Sequence, residues 1–332
     1  MPPDDLPPGL VWYPSDRPGI RRARRGRGFS YLAPDGTRID DAGERTRIEK
    51  LAVPPAYEDV WISPRVRGHL QATGLDVKAR RQYRYHPDWT AARAEKKWHL
   101  LPAFGRALPE VRAWIESGLK APAGSQDLAV ALALRLIDRA SMRVGGDSES
   151  ARGAVTLKRR DAKVEGRHVT LDWIAKGGRK THKELDDRRL ARALHRIGDL
   201  PGGRLATWTG PDGEQRFLRS EAVNERLAIL AGEGMTAKTF RTWNGSLAAF
   251  EAAMNDAAPT IGAMADAAAA RLHNTPAIAR TSYVHPAVLA LSEAPHAGDW
   301  RGGPRGLDGA ERRLVVLTEA WAEAARSAPE RA

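Results

Sequence analysis

Two periodicities divide the chain. Between residues 28 and 85, apolar and polar positions alternate in short runs separated by turn residues, the pattern of half-buried strands. Gly28-Phe-Ser-Tyr-Leu32 reads as a strand, Pro34-Asp35-Gly36 as a turn, and residues 37–40 as the returning strand of a hairpin. Asp40 or Asp41 caps a short helix through Lys50, which Pro54-Pro55 keeps from continuing. Val60-Trp61-Ile62, residues 69–73 and residues 80–85 supply further strands. In the last of these a regular pleat puts Arg81, Tyr83 and Tyr85 on one face and Gln82 and Arg84 on the other. Basic and aromatic side chains interleaved in this way suit phosphates and base edges, and packing of the tyrosines into the domain explains them equally well.

After His86-Pro87-Asp88 the period becomes helical. Helices are predicted over roughly 88–99, 102–118, 126–143, 184–197, 219–231, 237–255, 260–272 and 286–293. Ser125 caps the third, and Leu128, Leu132 and Leu136 recur at core spacing along it. Arg143 falls in its last turn before Gly145-Gly146, where a cation suits the helix dipole without any further role. Between Ala154 and Leu185 alternation returns. Residues 154–158, a strand carrying Val169, Leu171 and Trp173 on one face, and residues 179–185 form a predicted three-stranded antiparallel sheet. Its turns are Glu165-Gly166 and Lys176-Gly177-Gly178, which leaves Lys176 at a hairpin tip. The expected class is α+β: a small N-terminal β-sheet domain (1–86), a larger mainly helical domain with an inserted sheet (87–296), and a Gly/Pro linker with a C-terminal helix of no evident role (297–332).

Composition narrows the partners. Fifty-three basic residues against 41 acidic leave a net charge of +12 over 332 residues, which points to a polyanion. Arg17, Arg21, Arg22, Arg24, Arg25 and Arg27 read as a basic arm, residues 17–27, suited to phosphate contact but carrying no chemistry. No apolar run reaches membrane-spanning length, so no membrane partner is expected. The acidic, proline-rich start lacks the form of a signal peptide, and an intracellular location is expected. There is no cysteine, which removes disulfides, thiolate metal sites and cysteine nucleophiles together. Neither a phosphate-binding P-loop nor a dinucleotide fingerprint nor an HExxH pair occurs, so no cofactor and no metal are expected.

Two local features invite chemistry. Thr236 caps a helix whose first turn and a half carries Lys238 and Arg241, cations opposed to the helix dipole that a bound phosphate would repay. The second is the stretch from His273 to Tyr283. One helix stops at His273-Asn274, and Thr275-Pro276 starts a short one that ends near Tyr283, ahead of Pro286. A phenol nine residues after an amide is either a nucleophile or a surface tyrosine, and the stretch alone does not decide.

Taken together, the motifs resemble one family. Val53-Pro-Pro-Ala-Tyr57 with Val60-Trp61-Ile62, Gly68-His-Leu-Gln-Ala-Thr-Gly74, and Arg81-Gln-Tyr-Arg-Tyr-His86 are similar to the N-terminal domain of poxvirus-like bacterial type IB DNA topoisomerases. Met142-Arg143-Val144-Gly145, Lys176, Lys238-Thr-Phe-Arg241-Thr-Trp, and His273-Asn-Thr-Pro with Tyr283 follow in that family's order, over about residues 20–295. The resemblance implies the catalytic fold shared with tyrosine recombinases and a monomeric two-domain clamp around duplex DNA in the nucleoid. It also implies relaxation of supercoils through a transient 3′-phosphotyrosyl link, without ATP or metal. Tyr283 then matches the nucleophile, Arg143 and Arg241 the arginines on the non-bridging oxygens, Lys176 the general acid, and Lys238 a supporting lysine. Arg81, Gln82, Tyr83 and Tyr85 match the N-terminal DNA-contacting segment. Asn274 stands where the poxvirus enzymes carry histidine, keeping a donor but no titrating charge. The alternatives are a tyrosine recombinase, which usually has histidine at the position of Lys238, and a basic DNA-binding protein with no use for Tyr283.

Overall fold

The computed structural model describes residues 3, 6–146, 152–175, 178–198, 203–294, 298 and 300–327. The chain separates into two compact units, Met1–Lys96 and Lys97–Ala332.

The first unit is built on a five-stranded antiparallel sheet of order β2-β1-β3-β4-β5, with β1 Ile20–Arg25, β2 Gly28–Leu32, β3 Glu58–Ile62, β4 Leu70–Leu75 and β5 Arg81–Tyr85. One helix, α1 (Ala42–Lys50), is capped by Asp41, whose carboxylate accepts from the Glu44 N–H at 2.7 Å. Ile48 of α1 packs with Ile20, Tyr31, Val60, Ile62 and Ala72, so α1 covers the face to which these residues point. Two expectations change here. The partner of β2 is β1, reached through Gly26 at φ 54°, and residues 37–40 contribute only an isolated bridge between Leu32 and Arg38. The basic run is therefore not an arm: residues 20–25 form an interior strand between β2 and β3. The arginines conceal the strand period because charged side chains at four of the six β1 positions leave no apolar–polar alternation to read. Arg22 donates to the carbonyls of Val53, Pro54 and Tyr57 at 3.0, 3.0 and 2.5 Å, and its guanidinium lies 4.2 Å from the Phe29 ring centre.

In the second unit helices predominate. The long α2 (Pro87–Gly118) begins in the first unit and ends in the second. It is followed by α3 (Gln126–Ala140), α4 (Arg188–Arg196), α5 (Ser220–Ala231), α6 (Ala237–Met254), α7 (Ile261–Leu272), α8 (Pro276–Ser282), α9 (Pro286–Leu289) and α10 (Gly309–Ser327). A three-stranded antiparallel sheet, β6 (Ala162–Glu165), β7 (His168–Ala175) and β8 (Arg179–Asp186), is inserted after α3. A small ribbon of β9 (Thr207–Thr209) and β10 (Gln215–Phe217), which the sequence reading missed, precedes α5. The predicted break near residue 100 does not occur, and α2 runs through Pro102 and Pro109. Its inward stripe of Leu101, Phe104, Leu108, Val111 and Ile115 is fully buried, and that packing outweighs the backbone bonds the prolines forfeit. Residues 154–158 are not the first strand of the inserted sheet, which begins at Ala162. They are apolar because Ala154, Val155 and Leu157 sit in the main core.

That core is centred on α6, with Phe240, Trp243 and Phe250 fully enclosed, and it includes Leu314, Val315 and Leu317 of α10. The C-terminal helix is fastened by charge as well. Arg112 of α2 donates to Asp138 of α3 at 3.0 and 3.1 Å and to Glu311 of α10 at 2.8 and 2.7 Å. Burial works against the Arg112 charge, but its two carboxylate partners outweigh it and raise its pKa.

Candidate active site

Three chain turns bring the site together. At the first, α3 ends at Ala140 and Ser141 adopts the left-handed conformation at φ 52°, ψ 30°. Arg143 therefore lies beyond the helix and not in its last turn, and the expected interaction with the dipole is absent. The segment is held laterally instead. The N–H groups of Ala154 and Val155 donate to the carbonyls of Arg143 and Val144 at 2.9 and 2.8 Å. Gly153 permits this approach, since a Cβ there would lie 2.4 Å from Gly145 N and 2.6 Å from the Arg143 carbonyl oxygen.

At the second turn, α7 ends with His273 at φ 53°, and the Asn274 N–H donates to the Ala269 carbonyl at 3.0 Å. Arg241, on the second turn of α6, ties these two endings together. It is 4% exposed, and its terminal nitrogens donate to the Ser141 carbonyl and, at 3.1 Å, to that of Leu272. Helix-terminal carbonyls carry the negative end of the helix dipole, which suits a buried guanidinium. Burial lowers the Arg241 pKa and Arg143 adds to that, while Tyr283 opposes it. An arginine so placed remains charged at any ordinary pH.

The third turn fixes Tyr283. Thr275 caps α8, Pro276 occupies its first position, and the Tyr283 N–H closes the helix onto Ala279 at 2.9 Å. Three hydrogen bonds then hold the backbone. Ser246 Oγ donates to the Tyr283 carbonyl at 3.1 Å and accepts from the His285 N–H at 3.0 Å. Lys97 Nζ donates to the Ser282 carbonyl at 2.9 Å. Gly245 leaves the space: a Cβ there would lie 2.8 Å from Leu272 Cδ1 and 3.0 Å from Tyr283 Cβ. The tyrosine so held is 6% exposed, with the Arg241 guanidinium carbon 5.2 Å from its ring centre. Burial alone would raise the phenol pKa, but Arg241, Arg143 and Lys238 together overcome it and leave it below the ordinary tyrosine value.

Arg143, Arg152, Arg179, Arg241, His273 and Asn274 line a cleft of about 370 Å³. Arg143 Nη2 donates to Asn274 Oδ1 at 3.2 Å, and Arg179 Nη1 donates to the Asn274 carbonyl at 3.1 Å. Because arginine only donates, the first bond fixes the amide orientation. The Asn274 Nδ2, the Arg241 Nε and the His273 Nε2 are buried without a hydrogen-bond partner. All three belong to residues that line the cleft, where Arg143, Arg152, Arg179 and Arg241 gather positive charge suited to an anion. His273 adds no charge there. Burial first, and then Lys183, Arg241 and Arg179, push its pKa down to about 4, so it is neutral at pH 7.

The structure thus groups Tyr283, Arg143, Arg241 and Asn274. Lys238 is exposed on the first turn of α6, within electrostatic reach of Tyr283. Lys176 lies outside the described residues. In the first unit, Tyr83 and Tyr85 are 51% and 45% exposed with rings stacked 6.1 Å apart. Arg81 is on the same face but is engaged by Asp59 at 2.6 Å. The Gln82 amide points to the other side and donates to Asp76 at 3.0 Å. Sequence reasoning missed Arg152, Arg179, Gly245 and Ser246. The last two follow directly on Lys238-Thr-Phe-Arg241-Thr-Trp-Asn, and their spacing along one helix from Arg241 was the available signal. Among the described residues no group of three His, Asp or Glu side chains could hold a metal ion, and no helix is long and apolar enough to cross a membrane.

Comparison with known proteins identifies the family. Residues 28–76 match the bacterial DNA topoisomerase IB N-terminal domain, and residues 86–279 match the eukaryotic DNA topoisomerase I catalytic core. A DNA topoisomerase 1B of Acanthamoeba polyphaga mimivirus is 25% identical over 246 residues, 72% of this chain and 73% of that protein. The catalytic-core match takes in more than half of the chain and contains Arg143, Arg241 and Asn274: the chain belongs to the type IB DNA topoisomerases.

Proposed function

We propose that Tyr283 attacks a phosphodiester of duplex DNA held in the cleft of Arg143, Arg241 and Asn274. The phenolic oxygen bonds to phosphorus, the bond from phosphorus to the 5′-oxygen breaks, and a 3′-phosphotyrosyl link and a 5′-hydroxyl result. The free strand swivels, and the 5′-hydroxyl reverses the exchange. The observation that carries this reading is the Tyr283 ring against buried Arg241, beside a cleft lined by four arginines.

The charges suit the step. A phenol of pKa about 10 is mostly protonated at neutral pH. Cations that lower that value also stabilise the negative charge gathering on the non-bridging oxygens. Two arginines supply permanent charge and paired donors. The Asn274 Nδ2 supplies a third direction of donation, in the role given to histidine in poxvirus enzymes. Cleavage replaces one phosphodiester with another, so bond energy is conserved and no nucleotide need be consumed. Lys176, by its motif, protonates the departing 5′-oxygen, and Lys238 supports the charge at the phenol. Tyr83 and Tyr85 contact the DNA from the first unit, and the two units act as a monomeric clamp in the nucleoid, with the catalytic fold common to this family and the tyrosine recombinases.

Supercoiled plasmid incubated with the protein in EDTA without ATP tests the reading. Wild-type protein relaxes the plasmid, and Tyr283→Phe binds DNA but relaxes none. Failure of folded wild-type protein to relax it overturns the proposal.

A further inference from the structure

The arginine run that becomes β1 is not uniform, because the pleat sends alternate residues to opposite faces. Arg22 and Arg24 share the face covered by α1. Arg21 and Arg25 point to the other face, and both are exposed. Cross-strand register aligns Arg21 with Trp61, Trp61 with Thr73, and Thr73 with Tyr83, so these residues share one face of the sheet; Arg21 and Tyr83 at its two ends are exposed, while Thr73 between them is buried. At its near end Trp61 stacks with Tyr13 at 6.1 Å, and Arg17 lies 5.5 Å from the Tyr13 ring centre. At its far end are the exposed Tyr83 and Tyr85. Asp59, the carboxylate beside β5, is already engaged by Arg81. Among the described residues Arg21 and Arg25 have no ion-pair partner, so their charge is uncompensated.

We infer that Arg21 and Arg25, on the sheet face opposite α1, form a second phosphate-binding row and engage the DNA backbone at a distance from the β5 tyrosines. The inference rests on reading that face as DNA-contacting. Three strand spacings separate β1 from β5, about 14 Å. At 3.4 Å per base pair this lengthens the contacted duplex by roughly four base pairs. Guanidinium groups aligned along a strand contact phosphates without reading sequence, so the row adds affinity and not site preference.

The test is the salt dependence of duplex binding by the full chain, using a short duplex of arbitrary sequence. Arg21→Gln/Arg25→Gln should bind more weakly at low salt, and the slope of log affinity against log salt should become shallower by about 1.8, the value for two phosphate contacts. Arg24→Gln/Lys50→Gln removes the same charge from the α1 side of the sheet and should leave the slope nearly unchanged. An unchanged slope for the first pair, or equal changes for both pairs, overturns the inference. Plasmid relaxation by the wild-type protein is read alongside. If it is absent, the cleavage reading fails, whereas a relaxing enzyme with an unaltered slope defeats the phosphate row alone.

Discussion

Arg143 donates to the Asn274 side-chain oxygen at 3.2 Å, which fixes the amide and leaves its Nδ2 a buried donor without a partner. On the proposed mechanism the arginine brings the charge to the phosphate and the amide brings a fixed donor. Replacing Asn274 by alanine removes one transition-state donor and should slow single-turnover cleavage by about 10²-fold. Asn274→Asp should be slower still, since a carboxylate only accepts and sets a negative charge against the phosphate. Equal or faster cleavage by the aspartate variant would remove the amide from the phosphate site.

The phenol of Tyr283 should ionise below the ordinary tyrosine value, because Arg241, Arg143 and Lys238 outweigh its burial. A difference titration at the tyrosinate absorption band, wild type minus Tyr283→Phe, isolates this group. At a given pH below 10 more of it is ionised than of a free tyrosine. Arg143→Ala, which removes one of the cations, should move the transition upwards. A transition that does not respond to Arg143 would mean that the arginine does not sense the phenol.

Gly245 has no side chain where α6 meets Tyr283. Alanine favours a helix interior by roughly 1 kcal/mol over glycine, yet its Cβ would sit 2.8 Å from Leu272 and 3.0 Å from Tyr283. Displacement of a reacting group by about 1 Å can cost on the order of 10²-fold in rate. Gly245→Ala should therefore keep its melting temperature and DNA affinity while its cleavage rate falls. Loss of affinity in step with rate would assign the effect to DNA binding instead.

Much of this site was legible in the chain before its geometry. The caps at Ser125, Asp41 and Thr275, the turn glycines and the four-residue leucine spacing of α3 act within a few residues, and local patterns report local structure. Arg143 was misread as a helix-terminal charge because nothing within its own segment announces the left-handed Ser141. That turn is stabilised by Arg241, 100 residues away. The prolines of α2 suggested a break that long-range packing overrules, and the arginines of β1 hid a strand whose hydrogen-bonding partners lie on two other segments. Gly245 and Ser246 acquire meaning only when α8 lies against them.

Glu311 is 3% exposed and paired to Arg112. Burial alone would raise its pKa, but Arg112 prevails and lowers it. Removing Glu311 leaves Arg112 paired with Asp138 but two of its buried N–H donors unmet and α10 without its ionic tie, so Glu311→Ala should cost about 2–3 kcal/mol of stability. Denaturant unfolding measures this. A loss within the range of an exposed ion pair would mean that α10 is not fastened to the core through Arg112.

The central claim is that Tyr283 itself becomes linked to DNA. Wild-type protein mixed with duplex DNA, denatured during turnover and digested with protease and nuclease, yields adducts whose site and chemistry mass spectrometry resolves. A nucleotide joined through its 3′-phosphate to Tyr283 is the result predicted. An adduct on another residue, or one joined through a 5′-phosphate, would contradict it.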